Sequence, residues 1–225
     1  MRLAKNCLDI GLFTTNLEPM LEFWQREVGL PFEELLPVGG GIHQHRHGLN
    51  GSVLKINSVR GELPDLGPGG YRELFIAREG RRVPKRLTDP DGNHVTLVPP
   101  GYADIQALAI RIATGDMAWA NSYYGGSLGW EPAGEGRFRC GTTLLLLDHD
   151  ETVQPAGEMR ALGYRYLTVQ VWDCDAEHVG IVSRGGTEGR PPATLGSTAR
   201  ISFVRDPDGN WLEISQRASL TGPVA

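Results

Sequence analysis

The two halves of this chain repeat each other, and the repeat limits the folds that the sequence can adopt. The segment Asp-Pro-Asp-Gly-Asn occurs at 89–93 and again at 206–210. Two further pairs of segments match, namely 16–30 with 116–130 and 70–74 with 163–167. Self-similarity of this kind is the signature of a fold assembled from repeated structural units.

The repeats divide the 225-residue chain into four units that each begin with a strand and end in strands. Their predicted bounds are 7–57, 70–99, 105–148 and 163–216. Three units have the order strand, helix, strands, whereas the second unit lacks the helix that we predict at 173–182 in the fourth. We therefore predict an α+β fold with two domains of two units each, residues 1–100 and residues 101–225.

Glycine and proline mark the predicted turns between these strands. Each Asp-Pro-Asp-Gly turn lies between two strand-like runs and is predicted to close a hairpin. The segment 185–192 is rich in Gly and Pro, and we predict a mobile loop there, suited to act as a lid.

Composition limits the partners of the protein. The chain has 22 Lys+Arg against 27 Asp+Glu, a formal net charge of -5, which argues against nucleic acid and anionic membranes as partners. No apolar run is long enough to span a bilayer, and the first residues lack the apolar core of a signal peptide. We expect a cytoplasmic protein that binds a small molecule, with its three scattered cysteines reduced.

The sequence resembles the vicinal oxygen chelate (VOC) superfamily, which includes glyoxalase I, type I extradiol dioxygenases and bleomycin resistance proteins. Three features carry the resemblance: the opening strand 8–12, the aromatic-bearing helix that ends in Val28-Gly29-Leu30, and the Asp-Pro-Asp-Gly-Asn segments with the strands after them. The resemblance implies two VOC domains built from tandem βαβββ modules, with cupped mixed β-sheets and outer helices. It also implies a small-molecule substrate, and it is compatible with a homodimer.

Members of this superfamily hold a divalent metal ion with residues of the opening and closing strands of their units. The implied positions are Asp9, Lys55, Glu73 and Thr96 in the first domain and Ala109, Leu145, Tyr166 and Glu213 in the second. Only Glu213 keeps the residue type that the superfamily is expected to have at its position. The standard metal site is therefore mostly lost, and a metal cofactor, if bound, would be one Fe, Mn, Zn or Ni ion.

The first candidate site combines two acids with a lysine. At the implied positions, Asp9 and Glu73 are expected to converge beside Lys55. One interpretation is a salt-bridged cluster that fills a vestigial site. The other makes Lys55 an electrostatic anchor or acid/base for an oxyanion.

A row of histidines forms the second candidate site. His43, His45 and His47 share one face of an extended strand, and we expect that face to border the same cavity as Lys55. Three alternatives stay open: a solvated polar strand, a non-standard metal site completed by Asp9 or Glu73, and metal-free acid/base or hydrogen-bonding chemistry. The candidate catalytic residues are therefore His43, His45, Lys55, Asp9 and Glu73.

The opening strand of the fourth unit suggests a ligand surface. Tyr166, Gln170 and Trp172 lie two or four residues apart, so they share a face that suits a planar or aromatic ligand. Together with Glu213, they are the candidate substrate-binding residues.

The leading hypothesis is a glyoxalase-like or dioxygenase-like enzyme that acts on a small oxygenated, aromatic or non-aromatic, metabolite. Its chemistry would be that of an isomerase, a lyase or an oxygenase (an oxidoreductase), working through an oxyanion intermediate. The alternative is a metal-free protein that sequesters a small molecule, as bleomycin resistance proteins do. The loss of most standard ligands favours this alternative.

Overall fold

The computed structural model describes residues 1–224 and contains the four predicted units. The first unit comprises β1 (Leu3–Thr14), α1 (Leu17–Glu22), a π-helical segment (Phe23–Glu27), β2 (Phe32–Gly39), β3 (Ile42–Leu49) and β4 (Ser52–Val59). The second comprises β5 (Tyr71–Ala77), β6 (Lys85–Thr88) and β7 (His94–Val98), and its residues, all described, form no helix, as predicted.

The third and fourth units follow the same plan with their helices present. The third comprises β8 (Leu108–Thr114), α2 (Met117–Asn121), a π-helical segment (Ser122–Ser127), β9 (Glu131–Pro132), β10 (Arg137–Cys140) and β11 (Thr143–His149). The fourth comprises β12 (Gly163–Val171), α3 (Cys174–Ser183), β13 (Thr187–Leu195), β14 (Ala199–Arg205), β15 (Trp211–Arg217) and α4 (Ala218–Thr221).

The strands form two mixed sheets, and each sheet joins two units. The first sheet has the strand order β13-β14-β15-β12-β1-β4-β3-β2, and the second has the order β6-β7-β5-β8-β11-β10-β9. The first sheet therefore combines the first and fourth units, and the second sheet combines the second and third. The predicted domains, residues 1–100 and 101–225, group consecutive units, whereas in the structure β1 pairs with β12 and not with β5.

Alternation along the strands separates an apolar face from a polar face in the first sheet. Leu8, Ile10 and Leu12 of β1 are buried in the main core, where Trp24 of the first unit is also buried. Because successive side chains of a strand point to opposite faces, the residues between them, such as Asp9, lie on the other face. That polar face holds the candidate site.

The segment predicted to be a mobile loop is a strand. Most of it belongs to β13, which pairs with β14 at the edge of the first sheet, with register shifts near Arg190. An edge strand tolerates Pro191 and Pro192, because one side of it needs no ladder hydrogen bonds. Gly and Pro content alone therefore gave the wrong prediction.

The described helices are short. Within residues 1–224, none combines the length and the apolar character that a membrane-spanning helix requires.

The second Asp-Pro-Asp-Gly turn closes the β14–β15 hairpin, as predicted, and buries its first aspartate. The Asp206 carboxylate accepts hydrogen bonds from the Asn210 backbone N–H (2.8 Å) and the Tyr124 hydroxyl (2.7 Å). Burial raises the pKa of Asp206 from 3.8 to about 6, although the hydrogen bonds from Asn210 and Tyr124 oppose this rise.

We expect the unfolding free energy to fall as the pH rises from about 4 to about 6. In that range the folded chain keeps the Asp206 proton that the unfolded chain releases, so the raised pKa stabilises the fold only at lower pH. The contribution is on the order of 2–3 kcal/mol. Urea unfolding between pH 4 and pH 7 should show a flatter pH dependence for Asp206→Asn, whereas Asp104→Asn, at an exposed carboxylate, should follow the wild type. Equal slopes for all three proteins would contradict this assignment.

Candidate functional site

A row of polar side chains crosses the centre of the first sheet. Asp9 of β1 lies opposite Thr168 of β12, and Thr168 lies opposite Glu213 of β15. Residues paired across neighbouring strands point to the same face, and Gln170 shares that face because it lies two residues after Thr168. Lys55 reaches the row from β4, on the other side of β1. We call Asp9, Lys55, Thr168, Gln170 and Glu213 the polar cluster.

The Lys55 ammonium is the centre of this polar cluster. Its Nζ atom donates to the Thr168 hydroxyl at 2.6 Å and to Glu213 Oε2 at 2.8 Å. The Thr168 hydroxyl in turn donates to the same Glu213 oxygen at 2.6 Å. Lys55 is 4% exposed and Thr168 is fully buried, so this charge is held in a low-dielectric environment.

Asp9 is held separately from Lys55. Its Oδ1 atom accepts hydrogen bonds from the Lys5 ammonium at 2.7 Å and from the Val53 backbone N–H at 3.0 Å, and its Oδ2 atom accepts one from Gln170 at 3.2 Å. Gln170 is 3% exposed, and its Oε1 atom is buried without a hydrogen-bond partner among the described residues. The polar cluster therefore retains an unused acceptor.

Tyr166 joins the polar cluster to an aromatic wall. The Lys55 Nζ atom lies 5.3 Å from the centroid of the Tyr166 ring, within the range of a cation–π contact. On its other sides, the Tyr166 ring contacts Phe13 and Phe203, and Phe203 contacts Trp211. Burial raises the pKa of the Tyr166 hydroxyl, so the phenol is neutral at physiological pH.

A glycine makes room for this ring. Gly11 lies opposite Tyr166 in the β1–β12 register, and a Cβ atom at Gly11 would overlap the Tyr166 ring. The ring can lie flat across β1 only because position 11 has no side chain.

Arginines add positive charge to the same face. Arg46 and Arg217 both form ion pairs with Glu34, at 3.6 Å and 3.5 Å. Burial, followed by the neighbouring Arg46 guanidinium, lowers the pKa of Arg217. Lys5, Lys55, Arg46 and Arg217 therefore face Asp9, Glu213 and Glu34, which is four formal positive charges against three negative ones. The surplus of one favours an anionic ligand.

The structure brings together five of the nine side chains singled out for catalysis or substrate binding. On the polar face of the first sheet lie Asp9, Lys55, Tyr166, Gln170 and Glu213. The sequence placed Asp9 and Lys55 in one domain and the other three in the second. They meet because the first sheet joins the first and fourth units.

The predicted placement of the histidine row is wrong. In the β3–β4 hairpin, Arg46 pairs with Lys55, whereas His45 pairs with Ile56 and His47 with Leu54, so His43, His45 and His47 lie on the opposite face. There, His47 contacts the side chain of Gln25 at 3.0 Å. Burial lowers the pKa of His47 to about 4, so the buried imidazole is neutral.

Glu73 and Trp172 also lie apart from the polar cluster. Glu73 belongs to the second sheet, where it accepts a hydrogen bond from Thr96 at 2.6 Å, so it does not converge with Asp9. Trp172 follows β12, is 41% exposed and packs against the Arg2 guanidinium. Two further implied ligand positions, Ala109 and Leu145, are fully buried apolar residues.

Several residues of the site were missed from sequence. Thr168 lies opposite Asp9, whereas the repeat offset assigned the ligand position of this strand to Tyr166, two residues earlier. Gln44 and Asn57 both hydrogen-bond to the Tyr166 hydroxyl, at 3.3 Å and 3.1 Å. The positions of Gln44 and Asn57 could have been predicted, because Asn50-Gly51 is a typical two-residue hairpin turn. Such a turn fixes the register of β3 on β4, in which these two residues pair.

The donor set of the polar cluster does not fit a divalent metal ion. Two carboxylates and a hydroxyl are available, but the Lys55 ammonium occupies the position beside Glu213 and would repel a metal cation. Within residues 1–224, no group of three or more His, Cys, Asp or Glu side chains is arranged to hold a metal ion.

Comparisons with known proteins agree with this fold. Residues 106–214 match the model of the Glyoxalase/Bleomycin resistance protein/Dioxygenase superfamily. No curated protein matches the sequence. Among solved structures, glyoxalase I from Zea mays superposes with a TM-score of 0.73 at 16% identity, covering 96% of this chain and 92% of that chain.

A second solved structure gives the same result. The putative dioxygenase from Bacillus subtilis subsp. subtilis str. 168 superposes with a TM-score of 0.68 at 13% identity, covering 96% of this chain and 86% of that chain. At these identities the superpositions establish the fold alone. Residues 106–214 therefore match the Glyoxalase/Bleomycin resistance protein/Dioxygenase superfamily, and the two-sheet fold of the chain is similar to that of glyoxalase I.

Proposed function

We propose that this protein is an enzyme that acts on a small oxygenated metabolite through an oxyanion, with Lys55 in place of a metal ion. One observation carries the proposal: the buried Lys55 ammonium is fixed by Thr168 and Glu213 on the polar face of the first sheet. A fixed cation in a low-dielectric site stabilises a developing negative charge without reorganising as the reaction proceeds.

Glu213 is the candidate general base. Its Oε2 atom accepts the hydrogen bonds from Lys55 and Thr168, whereas its Oε1 atom has no hydrogen-bond partner among the described residues. The Glu213 side chain is 12% exposed and is the most exposed of the polar cluster, so a ligand would reach the cluster there.

These two groups suit proton transfer beside a carbonyl group. Glu213 would take a proton from the carbon next to the carbonyl, and the electron pair would move onto the carbonyl oxygen near Lys55. Return of the proton at another atom gives an isomerase, and loss of a neighbouring leaving group gives a lyase.

The second candidate function is sequestration of a planar ligand. It is favoured by the aromatic wall of Phe13, Tyr166, Phe203 and Trp211, with the guanidinium of Arg205 lying 3.8 Å from the Trp211 ring centroid. Aromatic and cationic surfaces of this kind stack on flat ligands, with or without chemistry.

Solvent exchange followed by NMR distinguishes the two functions. We expect the wild type, in D2O with a chelator present, to exchange the carbon-bound hydrogens of small hydroxyketones or related enolisable compounds. Glu213→Gln and Lys55→Gln should slow this exchange by about 100-fold or more, and Arg137→Gln, on the second sheet, should leave it unchanged. Planar compounds that bind without any exchange would favour sequestration. Exchange that survives in Glu213→Gln would exclude the proposed base.

A further inference from the structure

A cavity lies away from the polar cluster, where the two sheets meet. It has a volume of about 450 Å³, a size typical of sites for small metabolites. Its wall combines Tyr164 of the first sheet with residues of the second sheet, among them Tyr71, Glu73, Arg86 and Arg111. The cavity shares no residue with the polar cluster.

Two guanidinium groups flank one carboxylate at this cavity. The Nε atom of Arg86 lies 3.3 Å from Glu73 Oε1, and the Nε atom of Arg111 lies 3.8 Å from Glu73 Oε2. Arg111 also lies 3.4 Å from Asp148, and its guanidinium is 5.2 Å from the Phe75 ring centroid. These contacts hold both arginines beside the cavity.

The hydrogen-bonding capacity of these two arginines is unused. Neither guanidinium donates a hydrogen bond to another described residue, and Arg111 Nε, although it lies near the Glu73 and Asp148 carboxylates, is buried without a hydrogen-bond partner. By contrast, Arg72 on the same wall donates to the Asp150 carboxylate at 3.2 Å and to the Pro68 carbonyl at 3.4 Å. The side chains of Arg86 and Arg111 are 60% and 40% exposed, so a ligand can reach both of them.

Glu73 neutralises part of this charge but does not satisfy the donors. It is 6% exposed, and its Oε1 atom already accepts a hydrogen bond from Thr96 at 2.6 Å. A guanidinium presents its donors in a planar fork that matches a carboxylate in two parallel hydrogen bonds. The Tyr71 and Tyr164 side chains of the same wall provide contact for the carbon skeleton of a ligand.

We propose that this cavity is a second ligand site, which binds a small organic carboxylate through Arg86 and Arg111. The site is independent of the chemistry proposed for Lys55, because the two sets of residues lie on different sheets. A chain with both sites would bind two small molecules.

Calorimetric titration of the full chain at low ionic strength tests this site, with succinate, benzoate and inorganic phosphate as separate probes. We expect at least one carboxylate to bind, and Arg86→Gln and Arg111→Gln each to weaken its binding about tenfold or more. Arg137→Gln is the matched control, because its side chain is 39% exposed and forms a similar ion pair on the same sheet. It should bind the carboxylate as the wild type does.

Two more variants test whether the carboxylate binds at this cavity and not at the polar cluster. Glu73→Gln removes the competing carboxylate and should strengthen binding, whereas Lys55→Gln should leave it unchanged. Binding of phosphate alone, no carboxylate binding by the wild type, or equal weakening in Arg137→Gln and Arg111→Gln would each overturn the proposal. Loss of exchange activity in Lys55→Gln with intact carboxylate binding would support two separate sites.

Discussion

Replacement of Lys55 with methionine is expected to lower the free energy of unfolding by about 3–5 kcal/mol, because it leaves the Glu213 carboxylate largely buried without its cationic partner. The Thr168 hydroxyl alone would then compensate that charge. Urea unfolding near neutral pH, monitored by fluorescence and circular dichroism, measures the loss.

A double-mutant cycle isolates the ion pair from the loss of packing. Glu213→Leu removes the other charge, and the double variant Lys55→Met/Glu213→Leu should be more stable than Lys55→Met alone, since no uncompensated charge remains. If the effects of the two single substitutions simply add, Lys55 and Glu213 are not coupled, and the interpretation of Lys55 as a fixed cation fails.

The repeat in the sequence predicted the local structure well. The four predicted units agree with β1–β4, β5–β7, β8–β11 and β12–β15, because strand alternation, turn residues and helix patterns are local properties. The partners of the units could not be predicted in this way. β1 pairs with β12, more than 140 residues later, and nothing in the local pattern of either strand encodes that choice.

The difference between local structure and the pairing of units also explains which site residues were predicted correctly. Asp9, Lys55 and Glu213 were identified from sequence as candidate site residues, and all three lie on the polar face. Their true neighbours depend on the pairing of units, so Glu73 was grouped with them in error. The prediction for the histidine row failed because the face of these residues depends on the register of β3 on β4, in which Arg46 pairs with Lys55. A shift of one residue in such a register moves every side chain to the other face.

Replacement of Lys55 with glutamate is expected to create a divalent metal site where the wild type has none. The substitution removes the ammonium and adds a third carboxylate to Asp9 and Glu213 on the same face. Carboxylate and hydroxyl oxygens bind Mn²⁺ well. In the wild type, only the Lys55 ammonium prevents these oxygens from binding the ion. At a metal concentration about 100 times the Kd, binding adds about 2.7 kcal/mol to the stability of the variant.

Thermal unfolding with and without Mn²⁺ gives the readout. For a chain of this size, that stabilisation corresponds to a rise in Tm of about 5–10 °C. The Tm of the wild type and of Lys55→Gln should not change with Mn²⁺, since the first keeps the ammonium and the second supplies no new charge.

Elemental analysis of the wild type purified without chelators is the complementary measurement. Near-stoichiometric metal that disappears in Lys55→Glu would mean that Lys55 assists a metal site, and the fixed ammonium would then not be a substitute for a metal ion.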